Sequence, residues 1–174
     1  MFTLASNLAD LTFENFCVTK ENRLAHAAAL AVAEKPGTDY NPFFLHSVAS
    51  TGTMDIHHLL AAIGNRIEKL QPEKGVLFVE GKELAYEIKH RNFASVKKIF
   101  FSRADILLLE KIQDLAEVSK EDLRGMVEYF SSEGRQIVLG SNLPPKDLPM
   151  IDFALATQFS VGMVVGIAGN EDSP

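Results

Sequence analysis

Apolar and polar runs alternate along the chain in a way that predicts helices and strands in turn. Helical patterns lie at residues 20–34, 56–67, 83–89, 119–133 and 151–157. Short apolar runs, typical of buried strands, lie at residues 43–46, 76–79, 105–109, 136–140 and 159–167. Residues 96–101 fit either a helix or a strand. Because the two kinds of element alternate, the sequence predicts a three-layer α/β/α fold around a five-stranded parallel sheet.

Composition adds a domain plan and a cellular setting. The chain has 174 residues, 47% of them hydrophobic, which suits one domain at residues 11–168. Residues 1–10 are expected to form a loosely held leader, and residues 169–174 a polar tail. Cys17 is the sole cysteine, so no intramolecular disulfide can form, and a cytoplasmic location is expected. No apolar run approaches the ~20 residues of a membrane span, so no membrane contact is expected.

The turn after the first predicted strand has the outline of a phosphate-binding P-loop, residues 47–54, reading SVASTGTM. The P-loop pattern GxxxxGK[ST] uses backbone N–H groups to cradle phosphates, a lysine to neutralise them and a hydroxyl to ligate Mg²⁺. Here only Gly52 is kept. Thr53 stands at the lysine position, and Met54, which cannot ligate a hard cation, stands at the hydroxyl position. The sequence therefore predicts a degenerate Walker A motif.

Long stretches of the chain resemble the AAA+ ATPase domain of the bacterial replication initiator DnaA, a domain that also occurs in the related regulator Hda. They are LTFENF, NRLAHAAALAVAEKPGTDYNPFF, HHLLAAIGNRI, ADILLLEKIQDL and GRQIVLGSNLPPKDLPMIDFALATQF. The resemblance implies a P-loop NTPase fold with strand order 5-1-4-3-2. It also implies that the family's helical lid and DNA-reading domain are missing here.

The sequence departs from the family where the family carries its chemistry. Asp55, Ile56 and His57 look like an insertion before His58. The other departures are Glu110 and Lys111 at the magnesium-binding strand end (a degenerate Walker B), Asn142 at the sensor position, and Ala154, Ala156 and Gln158 at three arginine positions. Because phosphoryl transfer depends on such groups, we expect no catalytic residue, no ATP hydrolysis, no cofactor and no metal.

Several residues keep two interpretations. A vestigial nucleotide pocket would use Val18, Asn22, Asn41, Pro42, Ser50, Gly52, Thr53 and Met54. The favoured alternative is that the adenine-side members of this set hold the first helix on the sheet. A metal site at His46, His57 and His58 with Asp55 is disfavoured, because adjacent histidines on a helix point different ways. For Glu110, an ion pair or an exposed carboxylate is favoured over a general base.

The expected function is that of a non-catalytic DnaA-like domain, a pseudo-ATPase that regulates or accompanies replication initiation. It would bind a protein partner, such as the full-length initiator, and could form a homo-oligomer. One alternative is a nucleotide-binding ATPase that holds ATP or ADP, and Mg²⁺, with an atypical loop. The other is a DNA-binding accessory factor using Lys89, Arg91, Lys97 and Lys98, although the net charge of -6 disfavours DNA.

Overall fold

A computed structural model describes residues 2–3, 8–132 and 134–168. The strands are β1 Phe2–Thr3, β2 Phe43–His46, β3 Val76–Glu80, β4 Ile106–Glu110, β5 Gln136–Ser141 and β6 Met163–Gly166. The helices are α1 Arg23–Glu34, α2 Ser50–Leu70, α3 Gly81–Arg91, α4 Phe93–Ile99, α5 Lys120–Phe130 and α6 Phe153–Ser160. Short 3-10 turns lie at Phe101–Arg103, Ile112–Leu115 and Pro145–Asp147.

The strands form one parallel sheet in the order β1-β3-β4-β5-β2-β6. The five predicted strands are present in the predicted order. The sheet has a sixth strand, however, because β1 pairs with β3 through Phe2↔Leu77 and Thr3↔Phe78. Leu8 is also buried in the core. β1 and Leu8 both belong to the predicted leader, while the predicted tail lies outside the described residues.

Helices cover both faces of the sheet, which confirms the three layers. Side chains alternate along each strand, so Phe43 and Leu45 pack in the core beneath α1 and α2. Phe44, between them, packs in the opposite core beneath α3 to α6. The same alternation decides which face each polar side chain at the strand ends occupies.

Several predicted boundaries move, and one open assignment is resolved. Residues 96–101, left open between helix and strand, are largely helical within α4. The last strand begins at Met163 rather than at residue 159, because Phe159 belongs to α6 and packs on Phe44 with ring centroids 6.0 Å apart. The largest change is at α2, which begins at Ser50, six residues before the predicted start.

The helix at residues 119–133 is confirmed in outline as α5, and Ser119 caps it by accepting a hydrogen bond from the Asp122 N–H.

Among the described helices, none is long and apolar enough to cross a membrane.

Candidate nucleotide site

The phosphate-loop region is mostly helix. Only Ser47, Val48 and Ala49 separate β2 from α2, and residues 50–54 form the first turns of that helix. With a rise of 1.5 Å per residue, starting six residues early lengthens α2 by about 9 Å. Residues 50–54 are therefore helical backbone rather than an open glycine-rich loop, and the Thr53 N–H already donates a hydrogen bond to the Ala49 carbonyl.

Gly52 has a packing role in this arrangement. A Cβ atom at Gly52 would lie 2.1 Å from the Ser47 Oγ, so the start of α2 can approach the loop only at a glycine. The buried Ser47 hydroxyl in turn donates a hydrogen bond to the Ile167 carbonyl at 2.8 Å. Close contact with Ser47 thus accounts for the one P-loop glycine that the sequence keeps.

The side chains at the lysine and hydroxyl positions do not fit a magnesium-bound phosphate. Thr53 Oγ1 donates a hydrogen bond to the Ala49 carbonyl at 3.1 Å, within its own helix. Met54 is 74% exposed and offers a thioether where a hard cation needs oxygen. Neither residue supplies the charge or the ligand that the P-loop chemistry requires.

The three apparently inserted residues anchor the extended helix at three different points. Asp55 Oδ2 accepts a hydrogen bond from Asn22 Nδ2 at 2.9 Å, which ties α2 to the start of α1. Ile56 is buried against β5, where a Cβ atom at Gly140 would lie 2.7 Å from its Cγ2. His57 Nδ1 lies 2.8 Å from Glu110 Oε2 at the end of β4.

The His57–Glu110 contact joins a half-buried imidazole to a buried carboxylate. The Glu110 side chain is only 3% exposed, so its charge needs a partner inside the protein. The hydrogen bond to Glu110 raises the pKa of His57 above its ordinary value, and this effect outweighs burial, which lowers it. Of the alternatives left open for Glu110, the structure excludes an exposed carboxylate, and the contact is an ion pair whenever His57 is protonated.

A second ion pair lies beside the first. Lys111 Nζ is 3.0 Å from Glu80 Oε1 at the end of β3. The hydrogen bond to Glu80 raises the pKa of Lys111, again against the effect of burial. Sequence reasoning noted Lys111 but missed both His57 as the partner of Glu110 and Glu80 as the partner of Lys111. The apparent insertion was the only signal for the first.

The predicted adenine-side residues are not brought together. Asn22 is buried. Its side chain accepts a hydrogen bond from the Thr19 N–H and donates to the Cys17 carbonyl and to Asp55. Val18 lies near it in sequence and is half-exposed. Asn41 and Pro42 lie at the opposite, amino end of β2, where Asn41 Nδ2 donates to the Phe130 and Arg135 carbonyls. These contacts favour the interpretation that Asn22 and Asn41 hold the fold together.

The histidines near the loop are separated. His46 lies on the α6 face of the sheet, beside Phe44, whereas His57 lies on the α2 face. Burial lowers the pKa of His46, partly offset by Asp147. His58 Nε2 contacts the Thr12 carbonyl at 2.8 Å. No group of three potential metal ligands forms anywhere in residues 8–132 and 134–168.

The predicted sensor and arginine positions lie after β5 and on α6, respectively. Asn142 follows β5 and is exposed, and its backbone N–H donates to Gln113 Oε1 at 3.3 Å. The three arginine positions, Ala154, Ala156 and Gln158, are all on α6 and carry no charge. The same helix exposes 89% of Phe153 beside a groove of about 580 Å³ that Val161 and Val164 also line.

The predicted basic cluster is partly neutralised. Lys89 is 3.4 Å from Glu117, and Arg91 is 2.6 Å from Glu87. Lys97 lies over the Tyr129 ring, 5.0 Å from its centroid. Lys98 follows it in the last turn of α4. The cluster therefore presents less free positive charge than its sequence indicates.

The fold and the position of this site at the carboxyl edge of the sheet define an AAA+ domain of the P-loop NTPase class. The profile of the bacterial DnaA ATPase domain matches residues 8–166, and the chain belongs to that family.

Individual relatives agree with this assignment. The chromosomal replication initiator protein DnaA of Deinococcus deserti is 36% identical over 166 residues, which cover 92% of this chain and 36% of that protein. DnaA of Chloroflexus aurantiacus is 34% identical over 161 residues, covering 90% of this chain and 33% of that protein. Domain III of Thermotoga maritima DnaA superimposes with a TM-score of 0.78 at 29% identity, covering 91% of this chain and 67% of that one. The chain thus spans about a third of the length of the Deinococcus deserti and Chloroflexus aurantiacus proteins.

Proposed function

We propose that this protein is a non-catalytic DnaA-like domain, a cytoplasmic pseudo-ATPase that regulates or accompanies replication initiation by binding another protein. The observation that carries the proposal is the helical start of α2. Because residues 50–54 are helical, only Ser47, Val48 and Ala49 remain as a loop between β2 and α2, and Thr53 and Met54 supply neither lysine charge nor a magnesium ligand.

ATP hydrolysis and ATP binding test the non-catalytic part directly. We expect the purified protein to release no phosphate from Mg·ATP above the buffer rate. We also expect its melting temperature to be the same with and without ATP, ADP and Mg²⁺. A ligand at 100 times its Kd would add about 2.7 kcal/mol of stability, an easily measured shift. Magnesium-dependent turnover that the Glu110→Ala variant abolishes would refute the proposal.

The surface of α6 supports a protein partner. Phe153 projects from this helix into solvent, and the groove beside it has apolar walls from Val161 and Val164. A large exposed aromatic side chain beside an apolar groove is typical of a protein interaction site. Since the chain belongs to the DnaA family, we propose the full-length initiator of the same cell as the occupant.

A matched pair of variants tests this surface. We expect Phe153→Asp to abolish capture of the initiator on immobilised protein. Leu24→Asp should leave capture unchanged, because Leu24 is also an exposed apolar residue but lies on α1, on the opposite side of the sheet. Absence of capture by the wild type, or equal capture by the wild type and Phe153→Asp, would count against this partner and this surface.

A second candidate function is nucleotide binding through backbone amides alone. The observation in its favour is that α2 begins without a side-chain cap and without an acidic residue in its first turn. Its first N–H groups could therefore face an anion. The alternative predicts a rise in melting temperature with ATP or ADP, whereas the proposed function predicts none.

A further inference from the structure

Two carboxylates lie side by side at the carboxyl edge of the sheet, on the face covered by α2. Glu80 and Glu110 are register partners at the ends of β3 and β4. Each follows in alternation a residue of the α2-side core, namely Phe78 in β3 and Leu108 in β4. Adjacent like charges repel unless a cation lies between or beside them.

Each carboxylate already has a basic partner from this chain. The imidazole of His57 reaches Glu110 from α2, at 2.8 Å. The ammonium of Lys111 reaches Glu80 from the residue after β4, at 3.0 Å. Lys111 has φ +56°, a left-handed conformation that costs a non-glycine residue about 1 kcal/mol or more.

The same pair of oxygen donors would otherwise suit a divalent cation. Mg²⁺ and Mn²⁺ bind carboxylate oxygens and need several further positions for water or phosphate oxygens. Here His57 takes Glu110 Oε2 and Lys111 takes Glu80 Oε1, so each carboxylate already has one oxygen bound to a side chain of the protein. The described residues therefore do not fit a resident metal.

We propose that His57 and Lys111 serve as built-in cations that replace a divalent metal at the Glu80–Glu110 pair. The inference rests on the proposed non-catalytic function. It adds an explanation of how a metal is kept from the Glu80–Glu110 pair. The apparent insertion supplies the first cation, since it adds His57 to the face of α2 that meets β4. Lys111 supplies the second from the family's metal-binding strand end.

Unfolding of single and double variants tests the role of His57. We expect His57→Ala to lower the melting temperature, because it leaves the buried Glu110 carboxylate without a partner. Adding Glu110→Gln to that variant should recover part of the loss, because the side chain is then neutral. A His57→Ala/Glu110→Gln variant no more stable than His57→Ala alone would overturn the proposal. These two variants differ only at residue 110.

Binding of Mn²⁺ tests whether His57 and Lys111 occupy the place of a metal at the Glu80–Glu110 pair. We expect the His57→Ala/Lys111→Ala variant to bind Mn²⁺ at least tenfold more tightly than the wild type by titration calorimetry. The control is His90→Ala/Lys89→Ala on α3, which removes a histidine and a lysine elsewhere and should match the wild type. Equal Mn²⁺ affinity in the wild type and the His57→Ala/Lys111→Ala variant, whether measurable or absent in both, would also overturn the proposal.

These outcomes are separate from those for the proposed function. Failure of the rescue or of the Mn²⁺ difference would refute the built-in cations and leave an absence of ATPase activity intact. Turnover of ATP by the wild type would refute the non-catalytic function whatever the unfolding data give.

Discussion

The His57 side chain gives the ion pair a defined pH dependence. Its pKa is raised above 6.5 by Glu110, with Lys111 opposing and Glu80 adding to the effect. A histidine whose folded pKa is raised contributes stability that is complete below its unfolded pKa and is lost as the pH rises through the folded pKa. The contribution of His57 should therefore be present in mildly acidic solution and disappear in alkaline solution.

We predict that His57→Gln costs more stability at about pH 6 than at about pH 9, because the contribution of a histidine with a raised pKa is lost as the pH rises. The measurement is urea unfolding of the wild type and the variant at both values. His90→Gln is the control, because its ring stacks on Tyr86 and its Nδ1 contacts the Tyr86 carbonyl. A His57→Gln cost that is the same at both pH values would contradict the prediction.

Gly52 is the second position where one side chain decides local structure. We predict that Gly52→Ala lowers the free energy of unfolding by about 1–3 kcal/mol, because its Cβ atom would overlap the Ser47 side chain. Gly125→Ala in α5 is the matched control. A Cβ there would come no closer than 3.2 Å, to a Phe93 ring atom, and alanine favours the helix by about 1 kcal/mol. Urea unfolding should separate the two variants, and equal effects would argue against close packing at Gly52.

At the scale of elements, the link between α1 and α2 depends on Asn22 and Asp55. Asn22 Nδ2 donates a hydrogen bond to Asp55 Oδ2 at 2.9 Å, and the two residues are 33 positions apart in sequence. We predict that the two alanine substitutions are not additive, with a coupling of about 0.5–3 kcal/mol in a double-mutant cycle. Additive costs would mean that each residue acts through other contacts, such as those of Asn22 with Thr19 and Cys17.

The strands could be predicted from sequence because their side chains are apolar on both faces. Runs such as Val76–Glu80 and Ile106–Glu110 are buried almost throughout, and central parallel strands have that composition. The edge strand β1 could not, since two residues carry no periodicity and their pairing with β3 is a long-range contact. Its place on the sheet depends on tertiary structure alone.

The start of α2 was not predictable from local preference either. Serine, threonine and glycine are weak helix formers, and residues 50–53 contain only these types. Burial of Ile56 against Gly140 and the contacts of Asp55 and His57 favour the longer helix. Sequence reasoning predicted the insertion and a degenerate P-loop, but the partner of Glu110 lies 53 residues away and became visible only in the fold.

At the scale of the whole molecule, several basic side chains are paired with acidic side chains of the same chain. The chain carries 17 lysines and arginines against 23 acids. At the carboxyl edge of the sheet, His57 and Lys111 both contact carboxylates, so neither side chain is free to meet a phosphate. The basic cluster on α3 and α4 is similar, since Lys89 and Arg91 also have acidic partners.

This distribution predicts weak binding to single-stranded DNA. A protein gains affinity for nucleic acid by neutralising phosphates with free lysines and arginines, and that affinity falls steeply with salt. We expect fluorescence anisotropy of labelled single-stranded DNA to show no saturable binding at micromolar protein in about 50 mM salt, conditions that favour even non-specific complexes. Glu87→Gln/Glu117→Gln, which frees Arg91 and Lys89, should bind more tightly than the wild type. Saturable, salt-sensitive binding by the wild type that Lys97→Ala/Lys98→Ala abolishes would instead favour the DNA-binding accessory factor, and would mean that net charge does not limit this surface.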